Sequence, residues 1–419
     1  MPPPAATLAI WAIAAATTTL ILVRPFRLHE SVWAVAAATL LAITGLLPLP
    51  ALWNAVLRGQ DVYLFLLGMM LLSEVARREG LFDWVAAVAV HAARGSGRRL
   101  FLLIYIIGVA VTTVLSNDAT AVVLTPAVIA VTRRARVDAL PFLLICAFTA
   151  NAASFVLPIS NPANLVLFDG RMPPLLNWLH FFLLPAVVAI VATFIALRWL
   201  MRRRIPLQFD AGMPAPALGR SGLFALACIA TTAVALLAAS ARGLPLGPPT
   251  LIVAAVSVAV LLAATRKSPA PVLRGVSWSI LPLVAGLFVV VEAVTRTGVV
   301  ANLARLLQHA TITSPAHAAM VASGSVALAS NLINNLPAGL IASSTLMQAH
   351  APPLVTSAAM IGVDLGTNLS ITGSLATILW LTALRREGED LTFGTFLRIG
   401  LIVMPPALIL AVAARLLIG

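Results

Sequence analysis

Apolar runs long enough to cross a membrane dominate this chain. Eight of them are roughly 20 residues long, and a helix of that length spans about 30 Å of hydrocarbon. The runs cover residues 7–23, 32–50, 62–76, 176–197, 222–241, 249–265, 278–295 and 393–418. With 61% hydrophobic and only 10% charged residues, the chain has too few charges to cover a soluble surface. These runs therefore predict an all-α polytopic membrane protein.

Four further stretches are apolar at both ends and polar in the middle. Residues 100–131 and 316–347 are paired apolar arms around SNDAT and SNLINNLP, and we predict a re-entrant hairpin in each. Residues 140–168 and 353–384 are interrupted by NAASFVLPISNPAN and DLGTNLSITGS, which predicts two broken helices. Irregular backbone at membrane depth persists only where protein or a wet cavity surrounds it.

The same order of elements occurs twice. A glycine, a glutamate and a second glycine recur at equal spacing as Gly68-x5-Glu74-x5-Gly80 and Gly286-x5-Glu292-x5-Gly298. The offset of 218 residues also carries Asn117 onto Asn335. We predict two repeats, residues 1–200 and 221–419, joined by a cytoplasmic linker at 201–220. Each repeat would hold five crossings and one re-entrant hairpin, and this odd number requires the second repeat to be inverted.

The basic residues agree with this topology. If the N-terminus lies outside, 21 of the 27 Lys and Arg residues fall on the inner side, as the positive-inside rule requires. Because they are scattered between apolar runs, they do not indicate a nucleic-acid-binding surface. We therefore predict about ten transmembrane helices plus two re-entrant hairpins and two broken helices, in a multi-pass protein of the cell inner (cytoplasmic) membrane.

Inverted repeats with helices broken at matching positions are typical of secondary transporters, whose substrate site lies near the bilayer midplane. The chain has no GxxxxGK[ST] motif for ATP, and we predict no enzyme activity. None of its six histidines is spaced for metal binding with another histidine or a carboxylate. Both cysteines lie within apolar runs. We accordingly expect no metal and no cofactor.

Two aspartates stand out among the fourteen acidic residues. Asp118 lies at the tip of the first hairpin, and Asp364 lies just before the break of the second broken helix. A charged side chain at the bilayer centre costs at least about 2.5–3.5 kcal/mol, and neither segment contains an arginine or lysine to neutralise it. We predict that these two carboxyl groups form a proton-coupling pair. The alternative is that one of them merely caps a half-helix.

Glu74 and Glu292 are the other acidic residues within predicted membrane elements. They are equivalent by repeat, and each lies between two glycines. We assign them a structural role near a helix end, where an arginine in the next turn could pair with them. The arginines placed for this are Arg77, Arg78 and Arg296.

Amide side chains are concentrated in the same four interrupted elements. We predict a polar, neutral substrate pocket that contains Asn117, Asn151, Asn335 and Asn368. Such residues also join neighbouring membrane helices by hydrogen bonds, and both roles stay open for Asn161, Asn164, Asn331 and Asn334. Hydroxyl groups at the same places add further donors and acceptors.

Four segments carry a resemblance to a known family. They are SNDATAVVLTP at 116–126, NAASFVLPISNPANLVLF at 151–168, SNLINNLPAG at 330–339 and GTNLSITGSLATILW at 366–380. Together they resemble the arsenical pump membrane subunit, of the arsenite/antimonite efflux family in the ion transporter superfamily, over nearly the whole chain. The general pattern is also similar to dicarboxylate and sodium/proton relatives. Where relatives carry more glycine, this chain has Ala152-Ala153-Ser154, a departure from the family pattern.

The resemblance implies export of arsenite and antimonite from the cytoplasm in exchange for protons, through an elevator-type movement of one domain. It assigns proton coupling to Asp118 and Asp364. It assigns substrate binding to Ser116, Asn117, Thr120, Asn151, Asn334, Asn335, Thr367 and Asn368. Membrane lipid surrounds such a protein, and a separate soluble ATPase subunit is an optional partner in this family.

The chemistry of the interruptions agrees with that substrate. Arsenous acid is an uncharged trihydroxide at neutral pH, so amides and hydroxyls can bind it, whereas a dicarboxylate calls for cationic or oriented N–H donors. The main alternative is a sodium/proton antiporter of the same superfamily that uses the two aspartates as a cation site. The third hypothesis is a non-transporting membrane scaffold or receptor. The cost of placing carboxylates within the membrane argues against it, because a scaffold has no use for them.

Overall fold

Helices account for nearly all of the ordered secondary structure. The computed structural model describes residues 3–23, 25–169, 172–209 and 217–419, and within them no β-strand forms apart from an isolated bridge between Ser96 and Gln208. Residues 210–216 of the predicted linker lie outside the described residues. The prediction of an all-α fold is confirmed.

The first half contains eleven helices in the described part of the chain, and the last of them is the longest. They are α1 (Pro4–Val23), α2 (Glu30–Ile43), α3 (Leu49–Arg58), α4 (Gln60–Arg78), α5 (Leu81–Ala93), α6 (Gly97–Val114), α7 (Asn117–Ala119), α8 (Thr125–Arg134), α9 (Leu140–Ala152), α10 (Pro162–Phe168) and α11 (Leu175–Met201). A π-helical turn joins α7 to α8.

The second half presents the same types of element in the same order. They are α12 (Arg220–Ala241), α13 (Gly247–Thr265), α14 (Ala270–Gly275), α15 (Ile280–Arg296), α16 (Val299–Thr313), α17 (Pro315–Ile333), α18 (Asn335–Gln348), α19 (Pro353–Leu365), α20 (Leu375–Arg386) and α21 (Phe393–Ile418). Both hairpins and both broken helices lie within a few residues of the predicted ranges.

Several helices are long and apolar enough to cross a membrane. Seven single helices of the described chain meet that condition, and up to nine do if two bent pairs, α3 with α4 and α15 with α16, each count as one span. Large apolar side chains on their outer faces are exposed, for example Ile195 and Val234, as lipid contact requires. The chain is an integral, multi-pass membrane protein.

The sequence analysis did not predict four short helices, α3, α5, α14 and α16. The predicted run 32–50 is not one helix, because α2 ends at Ile43 and a turn precedes α3. Helix α5, with 13 residues, is about 20 Å long, too short to cross about 30 Å of hydrocarbon. These helices therefore connect or flank the spans.

The helices form two groups, and equivalent helices exchange equivalent contacts. In the first group, which we call the scaffold (α1–α4 and α12–α15), α4 packs on α13 while its counterpart α15 packs on α2. The second group, the hairpin bundle (α5–α11 and α16–α21), contains both hairpins, both broken helices and the closing spans α11 and α21, which pack on each other. This reciprocal packing is what a two-fold relation between the halves produces.

Helices α4 and α15 run in opposite directions within the scaffold. Glu292, near the end of α15, lies 3.7 Å from Arg58, which immediately precedes α4. Conversely, Glu74, near the end of α4, lies against Gly275, shortly before α15 begins. Antiparallel equivalent helices agree with inverted repeats, and the placement of the halves across the membrane stays a prediction.

The repeated glutamates are each paired on their own helix. The carboxylate of Glu74 accepts hydrogen bonds from Arg77 and Arg78, at 2.7–2.8 and 2.5 Å, and Glu292 accepts one from Arg296 at 2.9 Å. These are the partners that the sequence suggested. An ion pair satisfies each charge near a helix end, so neither glutamate needs a role in transport to explain its presence.

The repeated glycines terminate helices and allow close helix packing. Gly80 and Gly298, which follow α4 and α15, have φ values of 72° and 89°, a left-handed conformation that glycine adopts without strain. Gly68 and Gly286 lie at helix crossings. A Cβ atom there would fall 2.8 Å from the Thr250 backbone in α13 or 2.7 Å from that of Ala34 in α2.

Replacing either crossing glycine with alanine should destabilise the scaffold. G68A and G286A each force a methyl group against rigid backbone, and overpacking of this kind costs typically about 1–3 kcal/mol. We expect both variants to unfold at a lower temperature in detergent than the parent protein.

The matched control is G324A in α17, where a Cβ atom meets nothing within 4 Å. Alanine is the better helix former, so G324A should melt at or above the parent temperature. Equal melting temperatures for all three variants would contradict the close-packing interpretation.

Candidate substrate site

Each hairpin tip is stabilised by a capping side chain. At the first tip, Oγ of Ser116 accepts a hydrogen bond from the backbone N–H of Ala119 at 3.2 Å. At the second, Oδ1 of Asn334 accepts one from the N–H of Leu336 at 3.3 Å. Asn334 also has a positive φ of 74° and donates from Nδ2 to the carbonyl of Thr372 at 3.2 Å. Both tips therefore have a defined geometry.

The broken helices restart in the same way. Asn161 caps α10 through the N–H of Ala163 at 3.0 Å, and Ser374 caps α20 through the N–H of Ala376 at 3.2 Å. A capping side chain satisfies an otherwise unpaired N–H group at the start of a helix. The polar residues at these breaks thus permit the helices to stop and restart inside an apolar protein.

Both tips and both restarts meet at one small polar cavity. Its volume is about 10 Å³, close to that of a single water probe. Its apolar lining includes Leu66 of the scaffold helix α4. The polar side chains that line it are Asn117, Asp118, Asn161, Asn335 and Ser374. The four interrupted elements predicted to form the substrate site therefore do come together.

A second cavity leads to this cluster from one end of the protein. It has a volume of about 650 Å³ and lies between the scaffold and the hairpin bundle. Ser116 and Asp118 line it, as do Arg77, Arg274 and Arg386, three arginines that the predicted topology places on the inner side. The cavity thus connects the predicted cytoplasmic face with the first hairpin tip.

Asp118 is the one residue of the small cluster that can carry a charge, and it lines both cavities. Its backbone N–H donates to Oδ1 of Asn117 at 2.9 Å. Its carboxyl group makes no hydrogen bond or ion pair within the described part of the chain. It is therefore available to a proton, a cation or a polar substrate.

Asp364 lies behind the cluster and is completely buried. Its Oδ1 accepts a hydrogen bond of 2.7 Å from Nδ2 of Asn161, and its Oδ2 lacks a hydrogen-bond partner of good geometry. Because Asn161 lines the small cavity, one side chain separates Asp364 from it. Asp364 can influence the site through Asn161 without contacting a substrate in this conformation.

Asn151 and Asn368 join the two broken helices. Nδ2 of Asn151 donates to Oδ1 of Asn368 at 3.0 Å and to Oγ1 of Thr377 at 3.2 Å, and Nδ2 of Asn368 donates to the carbonyl of Phe148 at 3.1 Å. Both amides are buried and line neither of the two cavities. Their contacts here are with protein.

Two predicted hydroxyls also bond within the protein. The hydroxyls of Thr120 and Thr112 share a hydrogen bond of 2.8 Å, and Oγ1 of Thr367 donates to the carbonyl of Asp364 at 2.5 Å. Asn334 lines a different small cavity, which Leu283 and Leu287 of the scaffold helix α15 also line. Of the predicted residues, the structure thus places Ser116, Asn117, Asp118 and Asn335 at the two connected cavities.

Asn161 and Ser374 are the additional polar residues of the cluster. The sequence left Asn161 undecided and counted Ser374 only among the hydroxyl groups at the breaks, without assigning it to the substrate site. Their positions in the sequence could have identified them. Each immediately precedes the second half of a broken helix, where an Asn or Ser cap is favoured. Cys146, by contrast, is buried in α9 and lines neither of these cavities.

Comparison with known proteins identifies membrane transporters over most of the chain. The citrate transporter family model matches residues 10–361. The chain is 30% identical over 380 residues to an arsenical pump membrane protein of Yersinia enterocolitica, covering 87% of each protein. It is 29% identical over 421 residues to the arsenical pump membrane protein of Escherichia coli K12, covering 96% of this chain and 97% of that one.

Solved structures show the same fold. The Alcanivorax borkumensis YdaH transporter matches with a TM-score of 0.56 at 16% identity, covering 99% of this chain and 98% of that one. Neisseria gonorrhoeae MtrF, described as one of a class of antimetabolite efflux pumps, matches with a TM-score of 0.52 at 13% identity, covering 84% and 80%. The chain is a membrane transporter that belongs to the arsenical pump membrane protein family of the ion transporter superfamily.

Proposed function

We propose that this transporter exports arsenite and antimonite, as neutral trihydroxides, across the inner membrane in exchange for protons. The observation that most supports this proposal is the polar cluster at the hairpin tips, which borders a cavity from the predicted cytoplasmic side. A cavity of that orientation would collect substrate from the cytoplasm, as an exporter must. The names of the arsenical pump relatives support the same substrate class.

The cluster suits an uncharged ligand rich in hydroxyl groups. It contains amides, a hydroxyl and one carboxyl group, and no lysine or arginine lines it. Oδ1 of Asn335 is buried and has no hydrogen-bond partner in the described chain, so it can accept from a substrate hydroxyl. Since the volume of about 10 Å³ is too small for a metalloid trihydroxide, the tips must separate slightly when substrate binds.

In this proposal, Asp118 exchanges a proton for substrate at the cluster. When protonated, its carboxyl group is neutral and costs less to keep away from water than the charged form; when ionised, it accepts hydrogen bonds from substrate hydroxyls. Asp364 acts through Asn161, whose side chain holds one of its oxygens at 2.7 Å. A protonation change at Asp364 would therefore alter the orientation of a residue that lines the site.

Alternating access would come from movement of the hairpin bundle against the scaffold. The bundle carries Asp118 and the second hairpin, whereas the cavity wall opposite is formed by α4 and the start of α15. An elevator movement along that wall would carry the cluster toward the other side. A soluble ATPase subunit remains an optional partner of this proton-driven cycle.

Removing either carboxyl group should stop proton-driven transport. D118N and D364N keep the size of the side chain but remove the exchangeable proton. We expect antimonite uptake into inverted vesicles to fall about 10- to 100-fold, the factor that corresponds to losing one hydrogen bond to a charged group. The matched control, D138N, alters an exposed carboxylate that pairs with Arg204 and should transport normally.

Two outcomes would contradict this assignment. Full transport by both D118N and D364N would exclude the coupling pair. Transport that depends on added sodium, with no proton flux linked to antimonite in proteoliposomes, would favour the sodium/proton antiporter instead.

Removing one amide from the cluster should weaken substrate binding. N117A and N335A each delete a neutral hydrogen-bonding group, which corresponds to an affinity loss of about 2- to 10-fold. Antimonite binding to the purified protein measures this effect. The control is N302A, which alters an exposed asparagine bonded to Arg305 on α16. Unchanged affinity in N117A and N335A would place the substrate elsewhere, and absence of binding by the parent protein would exclude this substrate.

A further inference from the structure

An ion pair joins the scaffold to the hairpin bundle on the side away from the large cavity. Nη2 of Arg58, the last residue of α3, lies 3.2 Å from Oδ2 of Asp169, which follows α10 in the bundle. Nη1 of the same arginine lies 3.7 Å from Oε2 of Glu292 in the scaffold helix α15. Arg58 thus connects the two groups of helices where they are in contact.

The internal repeat supplies a second set made of one arginine and two carboxylates. Arg274 corresponds to Arg58. Arg58 lies in the last turn of α3, the short helix before α4, and Arg274 lies in the last turn of α14, the short helix before α15. Glu74 corresponds to Glu292 at the offset of 218 residues, whereas Glu387 is equivalent to Asp169 by position only, because α20 has 12 residues and α10 has 7. Glu387 follows α20 as Asp169 follows α10.

The second set is not closed in this conformation. Arg274, Glu74 and Glu387 all line the large cavity, and Arg274 makes no ion pair or hydrogen bond in the described parts of the chain. The carboxylate of Glu387 lies 3.5 Å from Arg133 in its own bundle.

The scaffold members of this second set are close together, although Glu74 bonds to Arg77 and Arg78 and not to Arg274. A Cβ atom at Gly275 would lie 1.9 Å from Oε1 of Glu74, so the end of α14 already packs against that carboxylate. What is absent is the approach of Glu387 across the cavity. One set is therefore closed where the two groups touch, and its equivalent is open where they are apart.

We propose that the two arginines are alternating latches: Arg58 holds the bundle through Asp169 when the predicted cytoplasmic cavity is open, and Arg274 holds it through Glu387 when that cavity is closed. This inference rests on the proposed alternating access, and it does not depend on which substrate is carried. Movement of the bundle would break one set and form the other. Because each set combines one arginine with two carboxylates, the two states exchange similar interactions, and a modest input can shift the balance.

The latches can be tested by measuring how open the large cavity is. Val122 lines that cavity on the first hairpin, so V122C, placed in a C146A/C228A background, reports access of a water-soluble maleimide. The purified protein is labelled without any substrate. R58A and D169N remove the closed latch, and we expect each to slow labelling by up to about 5-fold, because losing one exposed ion pair changes the ratio of open to closed protein by about 1.5- to 5-fold.

Adding R274A to R58A should restore the labelling rate toward that of the parent, because both states then lack their latch. A loss of folding would not be repaired by a second substitution, so the restoration separates a latch from a structural role. The controls are R305A and R385A, which alter arginines that bond within the bundle, to Asn302 and Asp390. Both should label at the parent rate.

Unchanged labelling in R58A, or further slowing in R58A/R274A, would overturn the latch proposal. Because labelling needs no metalloid, such a result would leave antimonite transport unaffected as a proposal. Conversely, the expected labelling pattern in a protein that fails to transport antimonite would support the latches and reject the proposed substrate.

Discussion

The structure depends on the requirement that backbone polar groups be satisfied inside an apolar protein. Each unpaired N–H or C=O in hydrocarbon costs several kcal/mol, yet this chain interrupts four of its membrane elements. The interruptions persist because Ser116, Asn161, Asn334 and Ser374 cap the helices that restart there. Three of these groups, Ser116, Asn161 and Ser374, also line the cavities at which we propose that a hydroxyl-bearing solute binds. Structural and functional roles are therefore not separable at these positions.

Burial divides the polar residues into two layers. The outer layer, with Asp118 and Asn335, borders the small cavity, and Asp118 also borders the large one. The inner layer, with Asn151, Asn368 and Asp364, is bonded within the protein. Such a layered network can transmit a protonation change, since Asn161 belongs to both layers. This division into layers also explains why an asparagine at an interrupted element need not line a cavity.

The internal repeat gives the transporter two versions of each contact. The equivalent crossings of α4 with α13 and of α15 with α2 hold the scaffold together through close glycine packing. The equivalent ion-pair sets, by contrast, differ: Arg58 is paired across the two groups and Arg274 is not. Contacts that are the same in both halves define a rigid frame, and contacts that differ mark the surface along which movement is expected.

The sequence by itself determined the all-α membrane fold, the hairpins, the broken helices and the pairing of Glu74 and Glu292 with arginines one turn away. These features are local, since they follow from hydrophobic length, helix-breaking residues and spacing along a helix. Only the tertiary structure decided which polar residues reach open space. Asn117 and Asn335 border a cavity while Asn151 and Asn368 bond to each other, because burial and cavity lining depend on how distant helices pack. The packing of distant helices likewise decides that Ser374 lines the small cavity and that, among the described residues, Arg58 is paired while Arg274 is not.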